Sequence, residues 1–252
     1  MYPKLFGAID TYYLFLILGI LSSFLILFIY LKVKKIDKEI SILLFINGLI
    51  SIFVGIVFAN LAQNLYDFIK NPDNFKYSGN MTFLGGLIAG VITFVIFYFI
   101  VIRKKDKSIM KNIMIIAPSC ITSAHFFGRM GCFFNGCCYG IESDSILAIQ
   151  FPNLDHKVLP TQLFEAIFLL ILTIILLIFA FKFDFVYNFS IYFLTYSVFR
   201  FGIEFIRGDD RGSFIGNLSP SQFWSIFLFI AGIIFIFISN YLYGKKKIIH
   251  KQ

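Results

Sequence analysis

The sequence predicts an all-α, polytopic membrane protein with seven transmembrane helices, and three observations carry that prediction. Apolar residues fill 59% of the 252 positions and charged residues only 14%, with 35 phenylalanines and a mean hydropathy of +0.85, a composition foreign to soluble globules. Apolar runs of the roughly 20 residues needed to cross a bilayer recur along the whole chain. Lysine and arginine gather between alternate runs, as they do in cytoplasmic loops.

The first run, Thr11 to Leu31, reads as a retained helix. Its N-flank holds only Lys4, offset by Asp10, its basic cluster follows it, and no small-x-small cleavage site is evident. The second run is Ile40 to Ala59. The third, Met81 to Ile102, opens with Gly86 and Gly90, and with Gly85 and Ala89, as small-xxx-small pairs that let helices approach closely. The fourth runs from Asn112 to about Gly131, with glycines Gly128, Gly131, Gly136 and Gly140 expected to break it into turns. Pro160 and Thr161 signal the start of the fifth, Gln162 to Phe181, where Glu165 is expected to favour the positive helix N-terminus. The sixth runs from Phe185 to about Phe205 and the seventh from Pro220 to Tyr243.

Seven crossings put the termini on opposite sides. With the N-terminus outside and the C-terminus cytoplasmic, the inner segments hold Lys32, Lys34, Lys35 and Lys38, then Arg103, Lys104, Lys105, Lys107 and Lys111, then Lys182, then Lys245, Lys246, Lys247 and Lys251, which is 14 of the 22 basic residues. The net charge of +8 then reports topology and anionic lipid, and excludes a nucleic-acid footprint. The longest polar piece, Ile141 to Lys157, reads as an outer loop, and residues 1–252 as a single membrane domain.

Chemistry concentrates in Ala124 to Gly140, which holds His125, Arg129, Cys132, Cys137 and Cys138. His125, Arg129 and Cys132 are spaced four and three apart and share one helix face. A guanidinium near membrane depth is costly unless paired or functional, and its fork of donors suits a phosphate; the plain alternative is an arginine snorkelling to headgroups. A second group, Tyr196, Arg200, Glu204 and Arg207, recurs at four, four and three within a segment ending Gly208-Asp209-Asp210-Arg211, and Arg200 can pair with Glu204 along the helix. Both groups fall at the outer ends of their spans, which points to one shared site facing the outer leaflet. The cysteines leave several readings open: a disulfide across the turn, a metal site with His125 as fourth ligand, a reactive thiol beside Arg129, or packed thiols without chemistry, the reading given to Cys120.

Gly-Arg-x-Gly with its phenylalanine-rich glycine turn, the Gly-Gly-Leu-Ile segment, Pro-Thr-Gln-Leu-Phe-Glu and Arg-Phe-x-x-Glu-Phe-x-Arg, in this order across seven spans, resemble the prolipoprotein diacylglyceryl transferase family over most of the chain. The resemblance implies transfer of a diacylglyceryl group from phosphatidylglycerol to the lipobox cysteine thiol of a prolipoprotein signal peptide, at the outer face of a bacterial cytoplasmic membrane, with neither cofactor nor metal. It implies a phospholipid site at Arg129 with Gly128, Gly131, Gly140, Gly85 and Gly86, and reaction chemistry at Arg200, Glu204, Tyr196, Cys132 and Cys137. Cys132 stands where the family pattern has Asn, Cys137 where it has Glu, and Leu84 and Leu159 where it has histidines, so His125 becomes the candidate base, with a reference pKa of ~6.5. Competing readings are a related transferase with another acceptor, a lipid-binding or transport protein, and a thiol redox or metal protein. Transport would show inverted repeats or polar residues continuing to the cytoplasmic half, and neither is visible.

Overall fold

The computed structural model describes residues 4–5, 9–79, 81–208 and 218–244. It is 78% helical, with helices α1 (Thr11–Val33), α2 (Lys38–Lys70), α3 (Phe83–Phe97), a short turn α4 (Arg103–Lys105), α5 (Ile109–Asn135), α6 (Thr161–Lys182), α7 (Asn188–Ile203) and α8 (Pro220–Tyr243). Two small antiparallel hairpins accompany them, β1 (Lys4–Leu5) with β2 (Ile9–Asp10) and β3 (Ile149–Gln150) with β4 (Lys157–Val158). Asp37 starts α2 by accepting from the Glu39 and Ile40 amides, and Ser219 with Gln222 forms a capping box on α8, with Pro220 at its first position.

Six helical segments among the described residues are long and apolar enough to cross a membrane: Thr11–Val33, Lys38–Lys70, Leu84–Lys105, Thr161–Lys182, Asn188–Ile206 and Pro220–Tyr243. The chain is therefore a multi-pass membrane protein. The fourth expected run is α5, whose 27 residues make about 40 Å of helix, but Asn112, His125, Arg129 and its serines keep it from joining the six by composition. Glycine does not break it where expected: Gly128 and Gly131 are helical, and the helix ends only at Asn135. Burial is inverted relative to a soluble protein. Phe53, Ile69, Val198 and Phe237 stand exposed while Asn47, Thr122, Gln162, Glu165 and Asn188 are fully buried, as expected where lipid is the solvent.

The chain divides into two compact units, residues 31–110 and residues 1–30 with 111–252. In the first, α2 and α3 pack backbone to backbone. A Cβ on Gly86 would stand 2.8 Å from the Gly55 carbonyl and 2.9 Å from the Ala59 methyl, and one on Gly85 2.6 Å from the Ala62 methyl. Their Cα faces are thus filled by α2, and the phospholipid contact expected of Gly85 and Gly86 gives way to helix packing. Asn47 ties the seam by donating to the Phe94 carbonyl at 3.2 Å. Gly86→Ala is expected to cost about 1–3 kcal/mol through overpacking, read by thermal unfolding in detergent.

In the second unit, α1 lies against α5. A Cβ on Gly19 would sit 3.0 Å from the Ala124 carbonyl, Ser22 and Ser123 share a hydrogen bond of 2.9 Å, and Ser23 donates to the Cys120 carbonyl at 2.7 Å. Thr173 of α6 donates to Thr122 of α5 at 2.8 Å. Leu169, Leu172 and Leu176 of α6 pack with Tyr192 and Tyr196 of α7, beside the stacked rings of Phe168 and Phe199, 4.1 Å apart. These contacts fix α5, α6 and α7 against one another just inside the ends that carry the polar groups.

Candidate active site

Glu165 is the hub. Its side chain is 0% exposed, and its Oε1 lies 3.0 Å from Arg129 Nε and 3.5 Å from His125 Nε2 and accepts a hydrogen bond from the Tyr196 hydroxyl at 2.8 Å. The His125 and Tyr196 rings meet edge to face, centroids 5.2 Å apart. Three helices thus converge on one carboxylate: α5 brings His125 and Arg129, α6 brings Glu165, and α7 brings Tyr196. The expectation that Glu165 favours the helix start is corrected here. The α6 N-cap is Pro160, without a side-chain cap bond, and Glu165 lies one turn further in, where its charge is neutralised by Arg129 of a neighbouring helix. A carboxylate buried in hydrocarbon persists only with such partners.

Arg129 meets Glu165 through its Nε edge. The pair is close, but the N–H is poorly aligned for a hydrogen bond, so the contact is ionic. No hydrogen bond among the described residues engages its two terminal nitrogens, and the side chain keeps 16% exposure. That leaves the bidentate edge of the fork available for an anion. Gly128, one residue before it, has nothing within 4 Å of a Cβ position. Gly131 has Tyr12 and Phe15 of α1 at 3.2 Å, which makes it a packing glycine. Gly128→Ala is expected to stabilise by about 0.5–1 kcal/mol through helix propensity, measured by unfolding in detergent.

The second polar group forms a parallel layer. Arg200 Nη1 lies 2.8 Å from Glu204 Oε2, the i, i+4 pair expected, and Arg200 Nη2 donates to the Ser221 hydroxyl at 2.7 Å. Ser219 at the start of α8 donates to Glu204 Oε1 at 2.9 Å, and Arg207 Nε stands 3.9 Å from Glu204 Oε2. The expected common face holds in part: α7 ends at Ile203 and tightens into a 3₁₀ turn over Glu204–Ile206, so Tyr196 faces Glu165 while Arg200 and Arg207 gather at Glu204. Gln162 is fully buried one turn before Glu165, and its amide has no hydrogen-bond partner among the described residues. Asp209, Asp210 and Arg211, and the basic tail from Lys245, lie outside the described residues.

The end of α5 builds the cysteine cluster. Gly136 takes φ +70°, its amide returns to the Phe133 carbonyl at 3.2 Å, and the Cys137 amide returns to the Cys132 carbonyl at 3.1 Å. That pair of bonds is a Schellman C-cap, and it folds Cys137 back over Cys132. Cys138, itself at φ +64°, turns the chain again, so that the three Sγ atoms lie within 4.8 Å of one another, each partly buried. All four cysteines are free thiols. His125 stands apart from this group, against Tyr196 and Glu165, so the reading that made it a fourth ligand beside the thiols is not what the fold assembles. The neighbouring Cys132 and Cys137 thiols, joined by the Arg207 guanidinium, hold the Cys138 thiol below the ordinary thiol range.

A crossing of three short extended segments anchors this turn. The Gly140 amide donates to the Leu159 carbonyl at 2.7 Å, Ile141 to Ile206 at 3.0 Å and Gly208 to Tyr139 at 3.2 Å, while Thr161 donates to the Cys138 carbonyl at 2.9 Å. Gly140 thereby connects the thiol turn, the start of α6 and the end of α7.

The family model for prolipoprotein diacylglyceryl transferase matches residues 4–238. The chain is 32% identical over 242 residues to the phosphatidylglycerol–prolipoprotein diacylglyceryl transferase of Clostridium tetani, covering 93% of this chain and 94% of that one. A protein of the same name from Idiomarina loihiensis is 33% identical over 204 residues, covering 78% and 75%. A second transferase of Clostridium perfringens is 36% identical over 150 residues, 57% of each chain.

Proposed function

Because the chain belongs to the prolipoprotein diacylglyceryl transferase family, we propose that it moves a diacylglyceryl group from phosphatidylglycerol to the lipobox cysteine thiol of a prolipoprotein, releasing glycerol phosphate. It is a membrane transferase. Seven crossings, the N-terminus outside, bring the ends of α5 and α7 and the starts of α6 and α8 to the outer face of a bacterial cytoplasmic membrane, and residues 1–252 act as one membrane domain.

The single observation that carries this reading is the Arg129–Glu165 pair. Glu165 takes the Nε edge of the guanidinium at 3.0 Å, which holds Arg129 in one orientation and presents its terminal nitrogens to an anion. The negative charge that grows on the phosphate as the glycerol C–O bond breaks then meets a fixed cation, with no reorganisation at that moment. Arg200, tied to Glu204 and Ser221, supplies the second positive wall. Tyr196 fixes the carboxylate from the opposite helix. His125, beside Glu165, accepts the proton of the attacking thiol.

Expression in a strain depleted of its own diacylglyceryl transferase tests the reading, with lipidation of a reporter prolipoprotein as readout. Restored lipidation supports it. A chain that inserts normally and consumes labelled phosphatidylglycerol while leaving the reporter unmodified has another acceptor, and one that does neither is not this enzyme.

A further inference from the structure

We infer that Cys132, Cys137 and Cys138 form a three-thiolate site for a thiophilic divalent cation of the zinc type, whose fourth position takes the acceptor thiol and activates it for alkylation. The inference rests on the function proposed above and supplies how its nucleophile is made. Three Sγ atoms within 4.8 Å of one another need little closure to bind one ion, since metal–sulfur bonds of about 2.3 Å set tetrahedral sulfurs about 3.8 Å apart. The Schellman turn holds them there through backbone bonds from Gly136 and Cys137, so the cluster is built before anything binds. Three sulfur ligands leave the fourth position of a tetrahedral ion for a reacting group. Each thiol is only partly buried, so an incoming peptide can reach them.

Charge and placement favour the same use. Three thiolates on one divalent ion carry a net negative charge, which the Arg207 guanidinium, bridged to the same turn through Gly140, offsets. Cys132 follows Arg129 by three residues on α5, so the two lie roughly 5–6 Å apart at Cβ on one face. The phosphate fork and the metal position therefore share one face of α5. Binding of the acceptor thiol to the ion displaces its proton, which passes through solvent to His125, two turns back along α5. The metal-bound sulfur attacks the glycerol carbon that carries the phosphate. The carbon–oxygen bond breaks with its electron pair on the phosphate oxygen, glycerol phosphate leaves, and the new thioether, a poor ligand, departs from the ion. No oxidant or reductant enters.

Cobalt(II) makes the site visible. The reduced, chelator-treated protein in detergent is expected to bind one Co²⁺ with thiolate charge-transfer absorption, lost in Cys132→Ser, Cys137→Ser and Cys138→Ser and kept in Cys120→Ser. Adding a lipobox peptide should intensify and shift the bands, whereas the same peptide with serine for its cysteine should not. With labelled phosphatidylglycerol, the metal-free protein and each of the three serine variants should transfer label to the peptide at least about 100-fold more slowly than the zinc-loaded protein. A folded wild-type chain without cobalt absorption, bands indifferent to the cysteine peptide, or full transfer by the serine variants each overturns the inference while leaving the transferase assignment intact. A zinc-loaded wild type that transfers nothing to the peptide instead overturns the acceptor reading.

Discussion

Glu165→Gln is expected to lower stability by about 3–5 kcal/mol and transfer by at least ~100-fold. The amide keeps the shape of the carboxylate and can still accept from Tyr196, so the change removes little but charge. It leaves the Arg129 guanidinium inside the helix ends without its counter-ion, and breaking a buried pair from one side costs on this scale. Arg129→Gln should destabilise by a similar amount, because it strands the fully buried carboxylate. Combining the two removes both charges, and the double variant should recover a substantial part of the stability lost by either. Its activity should stay as low as that of Arg129→Gln, since the guanidinium that meets the phosphate is gone. Unfolding in detergent and a labelled-phosphatidylglycerol assay read the two quantities separately. Stability losses that simply add would show that the ion pair contributes nothing, and transfer by the double variant at the wild-type rate would remove Arg129 from the reaction.

How far the sequence disclosed this arrangement follows from the range of the interactions. Helices are local, and long apolar runs with basic flanks located them, although α5 outlasted its glycines because Gly128 and Gly131 retain helical hydrogen bonding when a neighbouring helix or open space suits a missing side chain. Arg200 with Glu204 is an i, i+4 pair, legible from spacing alone. Glu165 was misread for the opposite reason. Its partners lie 36 and 40 residues before it, at Arg129 and His125, and 31 after it, at Tyr196, and a carboxylate in the first turns of a helix has an adequate local explanation. The available signal was the cost of a carboxylate in an otherwise apolar span, the same consideration that singled out Arg129; joining the two would have suggested the pair. The thiol cluster was likewise half visible. Gly136 after an apolar helix announces a C-cap, but only the left-handed turn at Cys138 brings the third sulfur round.

Gly140→Ala should damage transfer as severely as loss of the central charge, by a wholly mechanical route. A Cβ at this position would meet the Ile206 carbonyl at 2.5 Å, the Thr161 methyl at 2.8 Å and the Leu159 carbonyl at 2.9 Å. Two of these three obstacles are backbone, held by the hydrogen bonds that Gly140 and Ile141 themselves make, so no side-chain rotation relieves the clash. The crossing must spread, at about 1–3 kcal/mol or more. The displaced segments are those that carry the Cys138 turn, Arg207 near Glu204, and the start of α6 beneath Glu165. A shift of about 1 Å there separates groups that act only in register, enough for a roughly 100-fold loss. The expected signature is a folded, inserted protein whose kcat falls further than its KM rises. Gly208→Ala should behave alike, since its Cβ would collide with the Gly140 carbonyl across the same crossing. Gly202→Ala, with nothing within 4 Å, is the control for adding a methyl group to the same stretch of chain. Wild-type kinetics in Gly140→Ala would mean that the crossing yields without moving the site, and that the tight approach of Gly140 to Ile206 has no part in positioning it.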